Sequence, residues 1–106
     1  MTPRYAIKIT SDGHCSLRSI QDKKAKREIR EAIDGLASLP ESQGKELEEE
    51  LAGYRSIAAY RKHYRIVYTV VGSTVWVVWV DRRKPGREDD VYAKVQKLVR
   101  TFFKKR

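Results

Sequence analysis

The sequence has little of what several functional classes require. Its 106 residues include a single cysteine, Cys15, which excludes a disulfide framework and a thiol-based metal site. No apolar run approaches the roughly 20 residues that span a bilayer, and no apolar signal region follows the N-terminal Met1-Thr-Pro-Arg. His, Cys, Asp and Glu show no spacing of a known metal site, and Glu48–Glu50 is a simple acidic run. We therefore expect a cytoplasmic protein without a membrane partner, a metal or a cofactor.

Acidic residues are scarce in the second half of the chain. Residues 1–52 hold nine Lys/Arg and ten Asp/Glu, a balance of −1, whereas residues 53–106 hold fourteen and four, a balance of +10. This uneven distribution of charge favours a polyanionic partner, and nucleic acid is the commonest such partner. The length and the 41% share of hydrophobic residues predict one folded domain, residues 1–106.

Hydrophobic periodicity predicts one strand and two helices in the first half. Tyr5–Ile9 alternates with period two, as in a strand that Ser11-Asp12-Gly13 is expected to end. A short helix is predicted from about His14 to Ile20. A longer helix, N-capped by Asp22, is expected to continue to Pro40. Its core stripe recurs at three- and four-residue steps and comprises Ala25, Ile29, Ala32, Ile33, Leu36 and Leu39.

The period changes to two in the second half, after a possible helical turn over Glu46–Leu51 with Leu47 and Leu51 inward. Strands are predicted at about Tyr54–Tyr60, Tyr64–Val71 and Thr74–Asp81, with Gly72-Ser73 as a hairpin turn. The last of these strands is apolar on both faces and therefore central. A final helix begins near Asp90, with an apolar stripe of Val91, Val95, Leu98, Val99 and Phe102. The order β-α-α-β-β-β-α predicts an α+β fold, a small and mostly antiparallel sheet packed against helices.

Four short motifs combine cations with tyrosines along residues 53–92. They are Gly53-Tyr54-Arg55-Ser56, Tyr64-Arg65-Ile66-Val67-Tyr68, Val80-Asp81-Arg82-Arg83 and Asp90-Val91-Tyr92. With these motifs and this element order, the chain resembles the RelE/ParE toxin superfamily of bacterial type II toxin–antitoxin modules, and the RelE-like branch is favoured. The resemblance implies a toxin neutralised by a small cognate antitoxin. RelE-like members cleave mRNA in the ribosomal A site, whereas ParE-like members poison DNA gyrase without nuclease chemistry.

The resemblance also implies site residues. Arg65 matches the arginine of the Tyr-Arg pair, Arg83 matches the arginine at the end of the last strand, with Arg82 as a rival, and Tyr92 matches the tyrosine of the final helix. Two features depart from the ribonuclease pattern. Ser56 and Ala58 stand where some ribonucleases carry lysines, and the loop 84–89 is longer than in the simplest members.

RNA can be cleaved when its own 2′-hydroxyl attacks the adjacent phosphate, which requires a general base and cations that stabilise the phosphorane. Arginine suits the second task, because its planar fork pairs with phosphate oxygens and it is not deprotonated in proteins. Histidine suits the first, since its ordinary pKa is roughly 6.5. His63 is therefore a candidate base beside Arg65, and Lys62, Lys84 and Tyr92 are the alternatives.

Further cations are expected to contact nucleic acid, namely Arg55, Arg61, Lys62, Arg82, Lys84 and Arg87. Each candidate also has a purely structural interpretation. Arg65 can extend along a sheet face, Arg82 and Arg83 can be a solvated strand end, His63 can be a turn residue, and Tyr92 can pack the last helix. The basic residues of segment 23–30 are interspersed with acids, as on a solvated helix face. A gyrase inhibitor and a nontoxic RNA-binding relative remain alternatives to the ribonuclease.

Overall fold

A computed structural model of the chain describes residues 4–47 and 51–82. Two helices and five strands follow one another in the order β1 Ala6–Ile9, α1 Ser11–Arg18, α2 Lys23–Gly35, β2 Lys45–Glu46, β3 Tyr54–Ala59, β4 Tyr64–Val71 and β5 Thr74–Arg82. The strands form one sheet in the order β1-β5-β4-β3-β2, in which β1 pairs parallel with β5 and all other pairs are antiparallel. The expected α+β class with a mostly antiparallel sheet is confirmed. The helix predicted from Asp90 lies outside the described residues.

Apolar residues are buried on both faces of the sheet. Side chains of one face pack with the helices into a core that includes Leu17, Ala25, Ile29, Ile33, Leu36, Ile66, Tyr68, Val75, Val77 and Val80. A second cluster contains Leu47, Leu51, Tyr54, Val67 and Val78. Ile66 and Val67 are both fully buried although they point to opposite faces. The alternation predicted for β4 and the central place of β5 are therefore confirmed.

Helix α1 begins earlier than the sequence predicts. Ser11–Gly13, expected to end the first strand, is instead the first turn of the helix. Thr10 is the N-cap, and its Oγ1 accepts a hydrogen bond of 3.0 Å from the Gly13 amide. A Cβ on Gly13 would lie 2.7 Å from the Val77 carbonyl oxygen, so glycine allows α1 to lie directly on β5.

Helix α2 ends earlier than predicted. It begins after Asp22, as expected, but stops at Gly35 rather than continuing to Pro40. Gln43 Nε2 donates to the carbonyl oxygens of Gly35, at 2.9 Å, and of Ser38, at 2.7 Å, and so satisfies acceptors that a longer helix would have paired internally. Leu39, assigned to the core stripe, is 53% exposed, and this assignment was wrong.

The prediction for the segment before β3 is also corrected in part. Glu46, the first residue of the expected helical turn, belongs instead to the strand Lys45–Glu46, which pairs with Ser56 and Arg55 of β3. Leu47 and Leu51 are buried as predicted. β3 ends one residue earlier than predicted and β5 one residue later, which changes where the side chains at these strand ends lie.

Candidate functional site

Basic and aromatic side chains surround a cavity of about 590 Å³ at one end of the sheet. The turn between β3 and β4 supplies Tyr60, His63 and Tyr64, and the end of β5 supplies Asp81 and Arg82. The C-terminal part of α1 and its linker to α2 complete the wall with Ser16, Ser19, Ile20, Gln21 and Asp22. The cavity thus combines an imidazole, a guanidinium and two phenols.

The turn between β3 and β4 has an unusual backbone. Tyr60, Arg61 and Lys62 have φ angles of 50°, 56° and 68°, the left-handed region that glycine normally occupies. Each such residue costs roughly 1–2 kcal/mol. The His63 amide donates to the Tyr60 carbonyl oxygen at 3.0 Å and closes the turn. Arg61, Lys62 and His63 are exposed as a result, and no glycine in the sequence marks this backbone in advance.

Aromatic contacts fix the position of His63. The ring centroids of Tyr60 and His63 are 5.8 Å apart with an interplanar angle of 52°, and those of Tyr60 and Tyr64 are 6.4 Å apart at 51°. Tilted arrangements at these distances are favourable for aromatic pairs. The imidazole is therefore held against the cavity by its neighbours, although it remains exposed to solvent.

A β-bulge directs Arg82 to the cavity. Val67 of β4 pairs with Trp79, but the next residue, Tyr68, pairs with Val77, so Val78 is an extra residue in β5. Strict alternation from Val77 would place Arg82 on the face away from the helices. After the bulge, Arg82 pairs with Tyr64 and lines the cavity.

Hydrogen bonds fix the end of β5 beside the bulge. The Asp81 carboxylate accepts bonds from Trp79 Nε1, at 3.3 Å, and from the Arg82 amide, at 2.7 Å. Both bonds restrict the backbone at the residue that presents the guanidinium to the cavity. Arg82 itself is exposed, so its side chain is accessible to a ligand.

Arg65 lies outside the cavity that His63 and Arg82 line. It is half-buried on the opposite face from Tyr64, with Ala58 and Asp81 as its neighbours on the adjacent strands. Its side chain lines a second cavity of about 440 Å³ at the β3 edge, together with Lys45, Ser56 and Ala58. The structure therefore brings His63 and Arg82 together but does not place Arg65 in the same cavity.

Arg55 makes structural contacts. Its Nε donates to the Gln43 carbonyl oxygen at 2.9 Å, and the guanidinium also reaches the Gly44 carbonyl oxygen at 3.4 Å. The Tyr68 hydroxyl donates to the carbonyl oxygens of Pro40, at 2.7 Å, and Gln43, at 3.0 Å. Burial raises the pKa of Tyr68, and the nearby Arg55 guanidinium partly opposes this rise. Binding of nucleic acid by Arg55 stays a prediction.

Four expected site residues, Arg83, Lys84, Arg87 and Tyr92, lie outside the described residues. In residues 4–47 and 51–82, no group of three or more His, Cys, Asp or Glu could hold a metal. No helix in the same part of the chain is long and apolar enough to cross a membrane.

Sequence reasoning missed the linker residues Gln21 and Asp22 as parts of the cavity wall. The sequence marked Asp22 only as an N-cap, a role confirmed by its hydrogen bonds to the amides of Lys24 and Ala25. Its proximity to a turn some 40 residues further along the chain follows from the packing of α1 on β5. No local pattern in the sequence indicates such a long-range approach.

Comparison with protein families identifies a toxin family. The model of the ParE toxin of type II toxin–antitoxin systems, parDE, matches residues 8–85. No curated protein matches the chain.

Several solved structures resemble the fold. A chain of the toxin–antitoxin complex RelBE2 from Mycobacterium tuberculosis is 28% identical, with a TM-score of 0.65, and the match covers 78% of this chain and 95% of that one. A chain of the chromosomal ParDE system of P. aeruginosa is 20% identical, covers 74% and 96%, and has a TM-score of 0.64. The isolated E. coli RelE toxin is 16% identical, covers 90% and 98%, and has a TM-score of 0.67. At their low identities, the last two support the fold alone.

Proposed function

We propose that the chain, which belongs to the ParE toxin family of type II toxin–antitoxin systems within the RelE/ParE superfamily, is an endoribonuclease that cleaves translated mRNA in the ribosomal A site. As a toxin of such a module, it has a cognate antitoxin as its partner; the similar RelBE and ParDE structures are themselves toxin–antitoxin systems. The proposal concerns the target and the chemistry.

One observation carries the proposal, namely that His63 and Arg82 line the same cavity as the rings of Tyr60 and Tyr64. RNA offers a phosphate for the guanidinium, a hydroxyl for the imidazole and a base for an aromatic ring. Base–aromatic stacking contributes about 1–3 kcal/mol per base without sequence preference. The exposed cations Arg61 and Lys62 beside the cavity favour a polyanionic ligand over a neutral one.

In the proposed reaction, the imidazole of His63 takes the proton of the RNA 2′-hydroxyl. The 2′-oxygen then forms a bond to the adjacent phosphorus, and the bond from phosphorus to the 5′-oxygen breaks. The leaving 5′-oxygen takes a proton from solvent at the cavity mouth. Arg82 pairs with the phosphate oxygens and stabilises the charge that develops on them. The products end in a 2′,3′-cyclic phosphate and a 5′-hydroxyl.

The roles that the resemblance assigns to Arg65, Arg83 and Tyr92 remain part of the proposal. Arg65 would contact RNA on the opposite face of the sheet. Ser56 and Ala58 add no charge beside it, and Ser56 is buried at 1% exposure. The absence of charge at these two positions supports a catalytic centre at His63 and Arg82, with Arg65 as a contact for the RNA strand that flanks the cleaved bond.

A DNA gyrase inhibitor without nuclease activity is the second candidate, because the family that matches residues 8–85 is that of the ParE toxins. Such a protein would bind gyrase and do no chemistry on RNA. A nontoxic RNA-binding relative is a third possibility, consistent with Ser56 and Ala58 in place of lysines.

The test is an assay of the purified toxin on ribosomes translating a defined mRNA, beside a gyrase supercoiling assay. We expect cleavage within A-site codons, 2′,3′-cyclic phosphate ends and no effect on gyrase. His63→Gln and Arg82→Ala should lower the cleavage rate by about 10²–10³ each, the usual effect of removing one transition-state contact, while antitoxin binding persists. Intact mRNA together with inhibited gyrase would favour the second candidate.

A further inference from the structure

The second half of β5 has a helix beside one of its edges, where the first half has a strand. β1 pairs with residues 74–77 and ends at Ile9. Beyond Val77, α1 packs against the strand, and Gly13 lets the helix approach the Val77 carbonyl oxygen closely. Because a helix pairs most of its own backbone groups internally, the backbone groups on this edge of β5 need partners from the side chains of α1 and its cap.

Thr10 and Ser16 supply these partners. The amide and Oγ1 of Thr10 donate to the Val77 carbonyl oxygen at 3.0 and 3.3 Å. Ser16 Oγ accepts a hydrogen bond of 3.0 Å from the Val80 amide and donates one of 2.8 Å to the Gly13 carbonyl oxygen. A hydroxyl has a single hydrogen, so the bond to Gly13 uses it and the Val80 amide points at a lone pair. The direction of both bonds of Ser16 is therefore fixed.

The bond between Ser16 and Val80 lies between the bulge and the cavity. Val78 is the extra residue of the bulge, and Arg82 is the residue that the bulge directs to the cavity. At the strand end, the pairing with β4 holds one edge of β5 and Ser16 holds the other. Ser16 and Val80 are only 5% and 2% exposed, so the amide would have to move to find another acceptor if the hydroxyl were removed. Such a movement would displace Arg82, two residues further along the strand.

We propose that Ser16 is a positioning residue for Arg82, because it holds the Val80 amide and so fixes where the end of β5 presents the guanidinium to the RNA phosphate. The inference rests on the proposed ribonuclease function and adds a residue that acts through another. Although Ser16 lines the cavity, its hydroxyl is buried and makes both of its bonds within the protein. A misplacement of about 1 Å in a catalytic group lowers the rate by roughly 10²-fold.

The test variant is Ser16→Ala, which removes the acceptor of the Val80 amide. On ribosomes translating a defined mRNA, the cleavage rate at saturating toxin should fall by about 10- to 100-fold. The toxin concentration that gives half the maximal rate should stay within about twofold, because the exposed cations Arg61 and Lys62 still attract RNA. In the Arg82→Ala background, Ser16→Ala should lower the rate by less than about twofold, because its effect is exerted through Arg82.

The matched control is Ile29→Val, at a fully buried residue of α2 that does not line the cavity. Ser16→Ala and Ile29→Val should each lower the melting temperature by about 4–8 °C, but only Ser16→Ala should lower the cleavage rate. Ser16→Cys keeps a weaker acceptor at the same place, so its rate should lie between those of serine and alanine. If the alanine variant did not fold, the cysteine variant would take its place in the comparison with Arg82→Ala.

Equal fold-decreases from Ser16→Ala in the presence and absence of Arg82 would overturn the inference alone, because Ser16 would then not act through Arg82. An equal loss of cleavage in Ile29→Val would overturn it as well, since lower stability would explain the effect. Unchanged cleavage by a folded Ser16→Ala variant would also overturn it. Intact mRNA with the unmodified chain would overturn the proposed function together with the inference.

Discussion

Tyr68 connects the centre of the sheet to the loop that follows α2. Its side chain is fully buried in β4, and its hydroxyl donates to the carbonyl oxygens of Pro40 and Gln43. The Gln43 carbonyl oxygen also accepts from Arg55, and the Pro40 carbonyl oxygen also accepts a longer bond, at 3.4 Å, from the Gln43 amide. The tyrosine therefore satisfies an acceptor in a buried region where solvent cannot replace it.

Tyr68→Phe should lower the free energy of unfolding by about 1 kcal/mol at neutral pH, because the Pro40 carbonyl oxygen loses its 2.7 Å bond and keeps only the 3.4 Å bond from the Gln43 amide. Burial raises the pKa of Tyr68 above its usual 10.0, so the folded state holds the proton more tightly than the unfolded state. The stability from Tyr68 is therefore fully present below pH 10.0 and is lost as pH rises through the folded pKa. Urea unfolding at increasing pH should show the gap between the two proteins narrowing in alkali. A gap that stays constant would contradict this account.

The turn between β3 and β4 combines a strained backbone with exposed side chains. Three successive left-handed residues, Tyr60–Lys62, place Arg61, Lys62 and His63 outward at the cavity. None is a glycine, although glycine would relieve the strain. Side chains other than glycine at these positions therefore lower the stability of the fold, and such strain is common at sites that contact a ligand.

Lys62→Gly and Lys62→Ala separate strain from charge. Both remove the ammonium group, so both should weaken RNA binding equally. Only glycine accommodates the φ angle of 68° without steric conflict. Lys62→Gly should therefore be more stable than Lys62→Ala by about 1 kcal/mol, measured by chemical denaturation. If the alanine variant were as stable as the glycine variant, the left-handed backbone of the turn would be contradicted.

The elements were predictable from the sequence to the extent that periodicity marks them. Alternation predicted the bounds of β4, Tyr64–Val71, without error, and the N-cap Asp22 predicted the start of α2. The end of α2 was not predictable, because it depends on hydrogen bonds from Gln43. The bulge in β5 was not predictable from the sequence either. Val75–Val80 is apolar on both faces, so no polar residue marks the change of phase that carries Arg82 to the cavity.

At the scale of the described molecule, cations and acids lie at both ends of the sheet. His63 and Arg82 share a cavity with Asp22 and Asp81 at one end, whereas Glu41 and Glu46 line another cavity together with Arg55. Two residues singled out from the sequence, His63 and Arg82, line the same cavity, and the binding of nucleic acid there stays a prediction. The sequence could not predict that Gln21 and Asp22 join them, since tertiary packing brings these segments together.

The most direct test of the central claim is induced expression of the toxin without antitoxin, followed within minutes by mapping of transcript 5′ ends. The unmodified chain should produce new cuts inside translated codons. His63→Gln and Arg82→Ala should each reduce them by about 10²–10³, and Arg4→Ala, at an exposed residue that does not line the cavity, should leave them unchanged. Growth arrest with intact transcripts would contradict the ribonuclease account and favour gyrase as the target. Normal cleavage by both cavity variants would show that the reaction takes place elsewhere in the molecule.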